Sequence, residues 1–408
     1  MSAGGAGAPR DLRLLAGAVF LSAAGDMLAM VTLALAVHDL TGSGLAVAAY
    51  FATTLVPAIA LAPLAGLVAD RVESVRVLVV ASLAQAAAAA GLALVAGDLP
   101  GLLVLATLLA AGAAMSQPAE FALVPVVARE DRLIAANGLM ESARYAGFAA
   151  GPLLAGGLAA AAGTRAALLV NATSFLAVAA AGVLLHSRRP PEPGHGAERD
   201  RARDGLAALW DDGVLRIVVG AAVAALLFIS ASLTVEVFYA KDVLQAGDTG
   251  YALLTVAWMA GMIAGATGLA QHVPRRVPAG GALAALALQG TGMAAQTAVL
   301  ALPVALAGYL VGGLGHGVKN TLVRTLIQAR VPGRLHGRAF AAYGAARNAA
   351  ELGAVGAGGL LVGVLGAREA LLVAGLGPVL AGLCGLALLH RRAASRPAVT
   401  AVAAPGAP

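Results

Sequence analysis

Acidic side chains occur inside long apolar segments of this sequence, where charge is costly. Asp26 lies at the centre of segment 12–37, and Glu236 lies near the end of segment 214–239. A charge at the centre of a membrane-spanning helix costs about 2.5–3.5 kcal/mol on insertion scales, so its presence indicates a function. A carboxylate in low-dielectric surroundings takes up a proton more readily than one in water. Asp26 is therefore the first candidate for proton exchange, with a helix–helix hydrogen bond as the structural alternative.

Two pairs of opposite charge share helical faces. Glu141 and Arg144 are three residues apart, and Arg347 and Glu351 are four apart. Each spacing brings the two side chains together on one helix, so both pairs could be local ion pairs. An arginine at matched places in the two parts of the chain favours a role where those parts meet. Glu236, in turn, could be a gate, a proton site or a surface residue.

A basic cluster lies in the apolar segment 301–328. Lys319 is deep in this segment, whereas Arg324 is nearer its end and could extend to the membrane surface. Together with His316, Lys319 could bind an anionic group of a substrate. It could also pair with Glu120 from another apolar segment.

Other kinds of chemistry lack their sequence patterns. There is no GxxxxGK[ST] loop, so the chain carries no built-in ATPase of that type. The histidines show no metal-ligand spacing, and the one cysteine, Cys384, permits no intrachain disulfide. We expect neither an enzyme nor a cofactor or metal site.

The composition identifies the surroundings in which these residues act. The 408 residues are 60% hydrophobic and 12% charged, with a mean hydropathy of +0.86. Soluble domains carry about 25% charged residues. This difference excludes an ordinary cytosolic enzyme, a nucleic-acid binder and a disordered protein, and it predicts a chain embedded in lipid.

The apolar segments are long enough to be membrane spans, since about 20 apolar residues cross the roughly 30 Å hydrocarbon core. The predicted spans, all of them helices, are 12–37, 44–68, 75–97, 101–127, 134–161, 166–186, 214–239, 249–271, 279–298, 301–328, 336–364 and 368–390. The first is too long for a signal peptide and is predicted to be an uncleaved helix.

The arginines predict the orientation of these spans in a cell (inner) membrane. With the N-terminus inside, the outer loops hold only Arg165, Lys241 and Arg368. Basic residues concentrate on the cytoplasmic side of membrane proteins, so both termini are predicted to be cytoplasmic. The net charge of +6 then reflects orientation rather than an acidic partner.

The chain divides into two related halves. We expect six-helix bundles at 1–186 and 214–392, a cytoplasmic linker at 187–213 with a short surface helix around Leu206–Trp210, and a tail at 393–408. Residues 141–170 align without gaps on 344–373 at a constant offset, 347 − 144 = 203. Two parallel six-helix repeats around a central cavity are an architecture of membrane carriers, in which one half rocks against the other.

The loop after the second span resembles the loop 2–3 signature of the major facilitator superfamily, G-x3-D-R/K-x-G-R/K-R/K. Gly66, Asp70 and Arg71 match, and Arg76 is the remaining basic residue, but the second glycine is absent. The resemblance implies a cluster that holds the cytoplasmic face closed, and a positive-inside loop is the alternative. The second-half counterpart, 268–276, has lost the acid.

The fifth span resembles the superfamily's antiporter signature, G-x8-G-x3-G-P-x2-G-G. Its matching residues are Gly138, Gly147, Gly151, Pro152 and Gly156, while Ala155 replaces one glycine. Because this signature is found mostly in drug–proton antiporters, the resemblance implies export. A generic interface of small residues is the alternative interpretation.

Some weaker sequence phrases are similar to macrolide-efflux and enterobactin-exporter-like members of this superfamily. Among them are Leu133-Ala-Asn137 and Gln328-x2-Val331-Pro332-x4-Gly337-Arg338. The resemblance implies a multi-pass exporter of an amphipathic drug, antibiotic, siderophore or other metabolite by proton antiport. Its expected partners are the substrate, protons and the bilayer, with no nucleic acid, and a monomer is expected. An uptake symporter or facilitator, and a non-transporting sensor or scaffold, are the alternatives.

Overall fold

The computed structural model describes residues 8–41, 44–95, 97–128, 130–188, 203–274 and 277–394. Throughout these residues the regular structure is helical. The apolar segments found in the sequence become helices because a backbone in lipid can satisfy its polar groups only within itself. Seven arginines that contribute to the predicted orientation lie outside the described residues: Arg129, Arg189, Arg199, Arg201, Arg275, Arg276 and Arg396.

The helices follow the predicted spans closely. In chain order they are α1 (Ala8–Thr41), α2 (Gly44–Ala60), α3 (Ala62–Arg71), α4 (Ser74–Leu94), α5 (Leu99–Val127), α6 (Leu133–Leu184), α7 (Arg203–Asp211), α8 (Gly213–Ile229), α9 (Ser232–Phe238), α10 (Gly247–Thr267), α11 (Pro278–Ala295), α12 (Leu302–Arg330), α13 (His336–Leu365) and α14 (Ala367–Ala394). Helices α2 and α3 form one span bent by 52°, and α8 continues through α9 into a π-helical turn, Tyr239–Val243.

Twelve spans result because α6 is two helices joined at a glycine. Gly163 has φ of +76°, which separates α6a (133–162) from α6b (164–184). At the matching place in the second half, Gly366 has φ of +87° and separates α13 from α14. A residue without Cβ adopts this left-handed conformation without steric cost. The two breaks differ by 366 − 163 = 203, the offset of the sequence repeat.

Within the described residues, six helices qualify as membrane spans by length and composition, or up to eight when each bent pair counts as one span. Helices α6a, α12 and α13 carry the buried charges predicted from the sequence. Some of these charges pair between helices, as Glu141 of α6a does with Arg324 of α12.

The two ends of the bundle differ in charge. Arg10, Arg76, Arg132, Arg216 and Arg330 lie at the end where α1 begins and α12 finishes, which we call the arginine-rich end. The opposite, far end carries the breaks at Gly163 and Gly366. Such asymmetry is typical of proteins that sit in a membrane in one orientation.

The predicted surface helix of the linker is present as α7, while residues 189–202 lie outside the described residues. Its Leu209 is buried, and its Gly205 lies against the backbone of Arg338 in α13. After α7 the chain turns by 105° into α8. Asp212 makes this turn, because its carboxylate accepts hydrogen bonds from the backbone N–H groups of Val214 and Leu215 at 2.8 and 2.9 Å.

Candidate functional site

Asp26 lines a cavity of about 290 Å³ on the first-half side of the bundle. The Ser22 hydroxyl, one helical turn earlier, lies 3.5 Å from its carboxylate as a hydrogen-bond donor. Tyr50 and Thr54 of α2 lie on the same wall, and Glu351 of α13 contributes from the second half. Asp26 therefore faces the space between the halves rather than lipid.

A second cavity, of about 260 Å³, lies on the other side of Glu351. Glu236 of α9, Trp258 of α10 and Arg347 of α13 line it, and the Ser232 hydroxyl donates to Glu236 at 3.3 Å. Glu236, which the sequence could also place at the surface, is half-buried here. We call these two spaces the Asp26 cavity and the Glu236 cavity.

Between these cavities and the arginine-rich end, charged groups pair with groups on other helices rather than along their own helix. Arg144 binds Glu120 of α5 at 2.5 Å, whereas its distance to Glu141 is 3.9 Å. Glu141 instead pairs with Arg324 of α12, which is buried and not extended to the membrane surface as the sequence allowed. The guanidinium of Arg324 also lies 4.1 Å from the centre of the Phe121 ring. This cluster, Glu120, Arg144, Glu141 and Arg324, thereby joins the two halves.

Lys319 does not pair with Glu120, the acidic partner considered from the sequence. Its side chain is 1% exposed, and no carboxylate among the described residues lies within 4 Å of it. One residue along, the Asn320 side chain donates to the Tyr145 hydroxyl at 2.7 Å, and that hydroxyl donates to Glu141 at 2.8 Å. Lys319 is a buried amine at the junction of the halves without a carboxylate partner there.

The loop 2–3 residues close the arginine-rich end. The Asp70 carboxylate accepts hydrogen bonds from the backbone N–H groups of Gly337 and Arg338 at 2.7 and 3.1 Å, and from Arg338 Nε at 2.9 Å. An acid of the first half thus caps the first turn of a second-half helix, where the helix dipole favours negative charge. Gly66 permits the approach, since a Cβ there would lie 2.6 Å from the Arg338 Cα.

The two basic residues of the same motif, Arg71 and Arg76, are both exposed. Arg76 pairs with Glu73 at 3.0 Å, and Glu73 also binds Arg188 at 3.3 Å. Arg76 thus pairs within the first part of the chain, while Asp70 and Gly66 contact the second half.

A second closure of the arginine-rich end joins α6a to α12. The Asn137 amide donates to Gln328 and Thr325, at 2.5 and 3.2 Å. The Gln328 amide donates in turn to the backbone carbonyl of Phe121 at 3.0 Å. With the Asp70 cap, this network closes the bundle on the side opposite the breaks at Gly163 and Gly366.

The antiporter-type glycines of α6a face two different neighbours. A Cβ at Gly147 would lie 2.6 Å from the Phe20 carbonyl, and one at Gly151 would lie 2.4 Å from the Met27 Cβ, so both pack on α1. Gly138 packs on α10 of the other half, where a Cβ at Gly138 would lie 2.2 Å from the Ala266 carbonyl oxygen. Pro152 is exposed and Gly156 is helical. The stripe therefore joins α6a both to α1 and to the other half.

Several partners in these contacts are not evident from the sequence. The sequence offers Glu120 as a partner for Lys319 and not for Arg144, and Arg338 appears only within one of the weaker phrases. Asp204 of the linker helix also lies 3.3 Å from the Arg338 guanidinium. Contacts between distant segments leave no periodic pattern in the sequence. The weaker phrases, however, contain Asn137, Gln328 and Arg338, which form contacts at the arginine-rich end.

A family model described as the Major Facilitator Superfamily matches residues 15–353. Among characterised proteins, the multidrug efflux pump Tap of Mycobacterium tuberculosis is 31% identical over 297 residues, 66% of this chain and 68% of that protein. The lysophospholipid transporter LplT of Salmonella gallinarum is 31% identical over 159 residues, 38% of each chain.

Solved structures share the architecture at low identity. A bacterial homologue of the iron transporter ferroportin, in an outward-facing state, superposes with a TM-score of 0.79 at 17% identity, covering 93% of this chain and 100% of that one. The human organic anion transporter MFSD10 gives 0.75 at 17% identity, covering 93% and 99%. The Escherichia coli fucose:proton symporter gives 0.70 at 15%, covering 95% and 99%. These likenesses confirm the predicted twelve-helix fold.

Proposed function

Because the chain belongs to the major facilitator superfamily, we propose that it exports an amphipathic small molecule in exchange for protons, by alternating access between its two halves. The transported compound is a drug, antibiotic, siderophore or other secondary metabolite. One relative is named for multidrug efflux and another for lysophospholipid transport, and a lysophospholipid is an amphipathic compound. We place the arginine-rich end and both termini in the cytoplasm of a cell that carries the protein in its inner membrane.

One observation carries this proposal: carboxylates on the cavity walls have no basic partner. Asp26, Glu236 and Glu351 each lack a lysine, arginine or histidine within 4 Å among the described residues, whereas Glu120, Glu141 and Asp70 are all ion-paired. An acid without a fixed counter-ion is free to exchange a proton when its access to water changes. Glu351 lines both cavities, so one acid can serve both.

The arrangement supports a simple cycle. In the proposed cycle, the cavities open to the outside while the Asp70 cap closes the arginine-rich end. A proton from outside neutralises a cavity carboxylate and the substrate leaves to that side. The halves then rock, the proton is released into the cytoplasm, and the ionised cavity accepts the next substrate molecule.

The test is transport in energised inside-out vesicles, with a panel of antibiotics, siderophores and lysophospholipids as substrates. We expect accumulation that disappears when an uncoupler collapses the proton gradient. Asp26→Asn should reduce accumulation at least tenfold while preserving substrate–substrate exchange, because exchange needs no net proton transfer. Accumulation that survives the uncoupler would contradict antiport, and wild-type accumulation by Asp26→Asn would exclude that residue.

The same vesicles separate the two alternatives. An uptake symporter would accumulate substrate in right-side-out vesicles instead. A sensor or scaffold would transport nothing in either orientation while retaining its fold.

A further inference from the structure

The two walls of the Glu236 cavity carry opposite charges that do not neutralise each other. Glu236 approaches from α9 and Arg347 from α13. The Arg347 guanidinium has no carboxylate within 4 Å among the described residues, and its buried Nε has no hydrogen-bond partner there. The guanidinium lies 5.9 Å from the centre of the Tyr343 ring. A buried donor without a partner is costly, so this group is arranged for a partner that is not part of the chain.

Arg144, the counterpart of Arg347 in the repeat, shows what Arg347 lacks. Arg144 has Glu120 at 2.5 Å and Glu141 at 3.9 Å. The position matching Glu120 in the second half is 120 + 203 = 323, which is Val323. The second half has therefore kept the arginine and lost its acidic partner, and the arginine lines a cavity instead of an ion-pair cluster.

The rest of the cavity wall suits an amphiphile. Leu226, Ile229, Met259 and Met262 supply apolar surface, while Trp258 offers an aromatic face. Aromatic faces attract organic cations, and guanidinium groups bind phosphate and carboxylate in paired hydrogen bonds. The cavity thus combines a cation site, an anion site and a place for a hydrocarbon chain.

From this juxtaposition we infer that the Glu236 cavity binds zwitterionic amphiphiles, with the cationic group at Glu236 and Trp258 and the anionic group at Arg347. The inference rests on the proposed function and specifies the substrate class of that function. Glu351 also lines this cavity and has no basic group within 4 Å among the described residues, so it does not pair with Arg347 at contact distance. A ligand with one charge would therefore leave either the carboxylates or Arg347 without a partner. The zwitterion is therefore preferred over both single-charge analogues.

The chain provides its own reporter for the test. It has two tryptophans, Trp210 on the exposed side of α7 and Trp258 on the cavity wall. Trp210→Phe leaves Trp258 as the single fluorophore. We would titrate this variant of the full chain, in an uncharged maltoside detergent, with hexylphosphocholine, hexyltrimethylammonium and hexyl phosphate.

We expect hexylphosphocholine to bind about tenfold more tightly than either single-charge analogue, because charge-assisted hydrogen bonds contribute at this scale. Arg347→Gln should weaken hexylphosphocholine and hexyl phosphate about tenfold and leave hexyltrimethylammonium unchanged. Glu236→Gln should weaken hexylphosphocholine and hexyltrimethylammonium and leave hexyl phosphate unchanged. Arg165→Gln and Glu369→Gln, at exposed positions of the far end, are the matched controls and should change none of the three affinities.

Three results would overturn the inference: tighter binding of the pure cation, tighter binding of the pure anion, or an equal effect of each cavity variant on all three ligands. The outcome is independent of the transport test. Selective zwitterion binding without vesicle transport would contradict the export proposal alone. Proton-coupled export of singly charged drugs without zwitterion selectivity would contradict this inference alone.

Discussion

Asp70 combines at one carboxylate the roles of a helix cap, an ion-pair partner and a link between the two halves. Both carboxylate oxygens accept hydrogen bonds from the first turn of α13, and the ion pair with Arg338 is almost fully buried, with side-chain exposures of 3% and 2%. Removing one member of a buried pair costs about 3–5 kcal/mol because the other charge remains uncompensated. That cost falls on the state in which the arginine-rich end is closed.

Asp70→Ala should therefore shift the molecule away from the closed state. Beneath the closure lie Ala345 and Asn348, in a small cavity between α13 and the first half. We expect a cysteine at Asn348, introduced after Cys384→Ala, to react with a membrane-impermeant maleimide from the arginine-rich end at least tenfold faster in Asp70→Ala than in the parent.

Asp70→Asn is the graded control, because an amide keeps one oxygen acceptor and loses the charge. Its labelling rate should lie between those of the parent and of Asp70→Ala. Equal labelling in all three proteins would show that Asp70 does not maintain the closure.

At the scale of an element, α6a depends on small residues for its position against α1. A Cβ at Gly151 would meet the Met27 Cβ at 2.4 Å and the Ala24 backbone carbonyl at 2.7 Å, and the carbonyl cannot move aside as a side chain can. Gly17, in the first third of α1, has no atom within 4 Å of the Cβ that a side chain would add. These two glycines share a helical backbone and differ in their neighbours.

Gly151→Ala should lower stability by about 1–3 kcal/mol, the cost of overpacking a tight contact. Gly17→Ala should be neutral or stabilising, since it removes backbone freedom from the unfolded chain without a clash. Thermal unfolding of both variants in the same detergent checks the difference. Equal melting temperatures would contradict the tight α1–α6a contact.

Asp212 controls how the linker helix meets α8, and its effect depends on pH. Burial of this carboxyl favours the neutral form, but the N–H groups of Leu215 and Val214 and the Arg330 guanidinium outweigh it and lower the pKa of Asp212 below its ordinary value of 3.8. A lowered folded-state pKa contributes stability above pH 3.8, which is lost as the pH falls through the folded-state value.

Asp212→Ala should cost about 0.5–2 kcal/mol at neutral pH through the lost cap. The difference from the parent should shrink as the pH falls below about 3.8. Asp212→Asn, which keeps the cap oxygen, should lose less at neutral pH. A difference that does not change with pH would mean that ionisation of Asp212 plays no part.

The helices were more predictable from the sequence than their contacts. Hydrophobic length sets each span, and the glycines at 163 and 366 follow from the repeat, because local composition determines both. The partners of Arg144 and Arg324 were not predictable, since they depend on which helix faces which across the bundle. The spacing of Glu141 and Arg144 favours a pair along one helix. In the structure, however, Glu120 of α5 is nearer to Arg144 than Glu141 is, and Arg324 of α12 is nearer to Glu141 than Arg144 is.

For the whole molecule, the repeat keeps the same backbone in both halves while the charges diverge. Arg144 of the first half is neutralised within a cluster that joins the halves, and Arg347 of the second half faces a cavity. The arginine of the first half is therefore held in a fixed contact near the closed end, whereas the arginine of the second half is available to bind a ligand. Rocking of such halves requires that the contacts at the arginine-rich end separate once in each cycle.

Cross-linking tests that requirement directly. Asn137 and Gln328 lie on opposite halves with their amide groups 2.5 Å apart. At the same end, Glu73 of the first half lies 3.3 Å from Arg188 at the start of the linker. In a Cys384→Ala background, joining cysteines at 137 and 328 with a short bifunctional thiol reagent should stop vesicle transport, because the halves can no longer part. Joining cysteines at 73 and 188 should leave most transport intact, since this cross-link ties the start of the linker to the first half and does not connect the two halves. If the 137–328 cross-link forms fully and transport continues, the separation of this end is not part of the cycle, and the closed contact of Asp70 with α13 is a static feature of the fold.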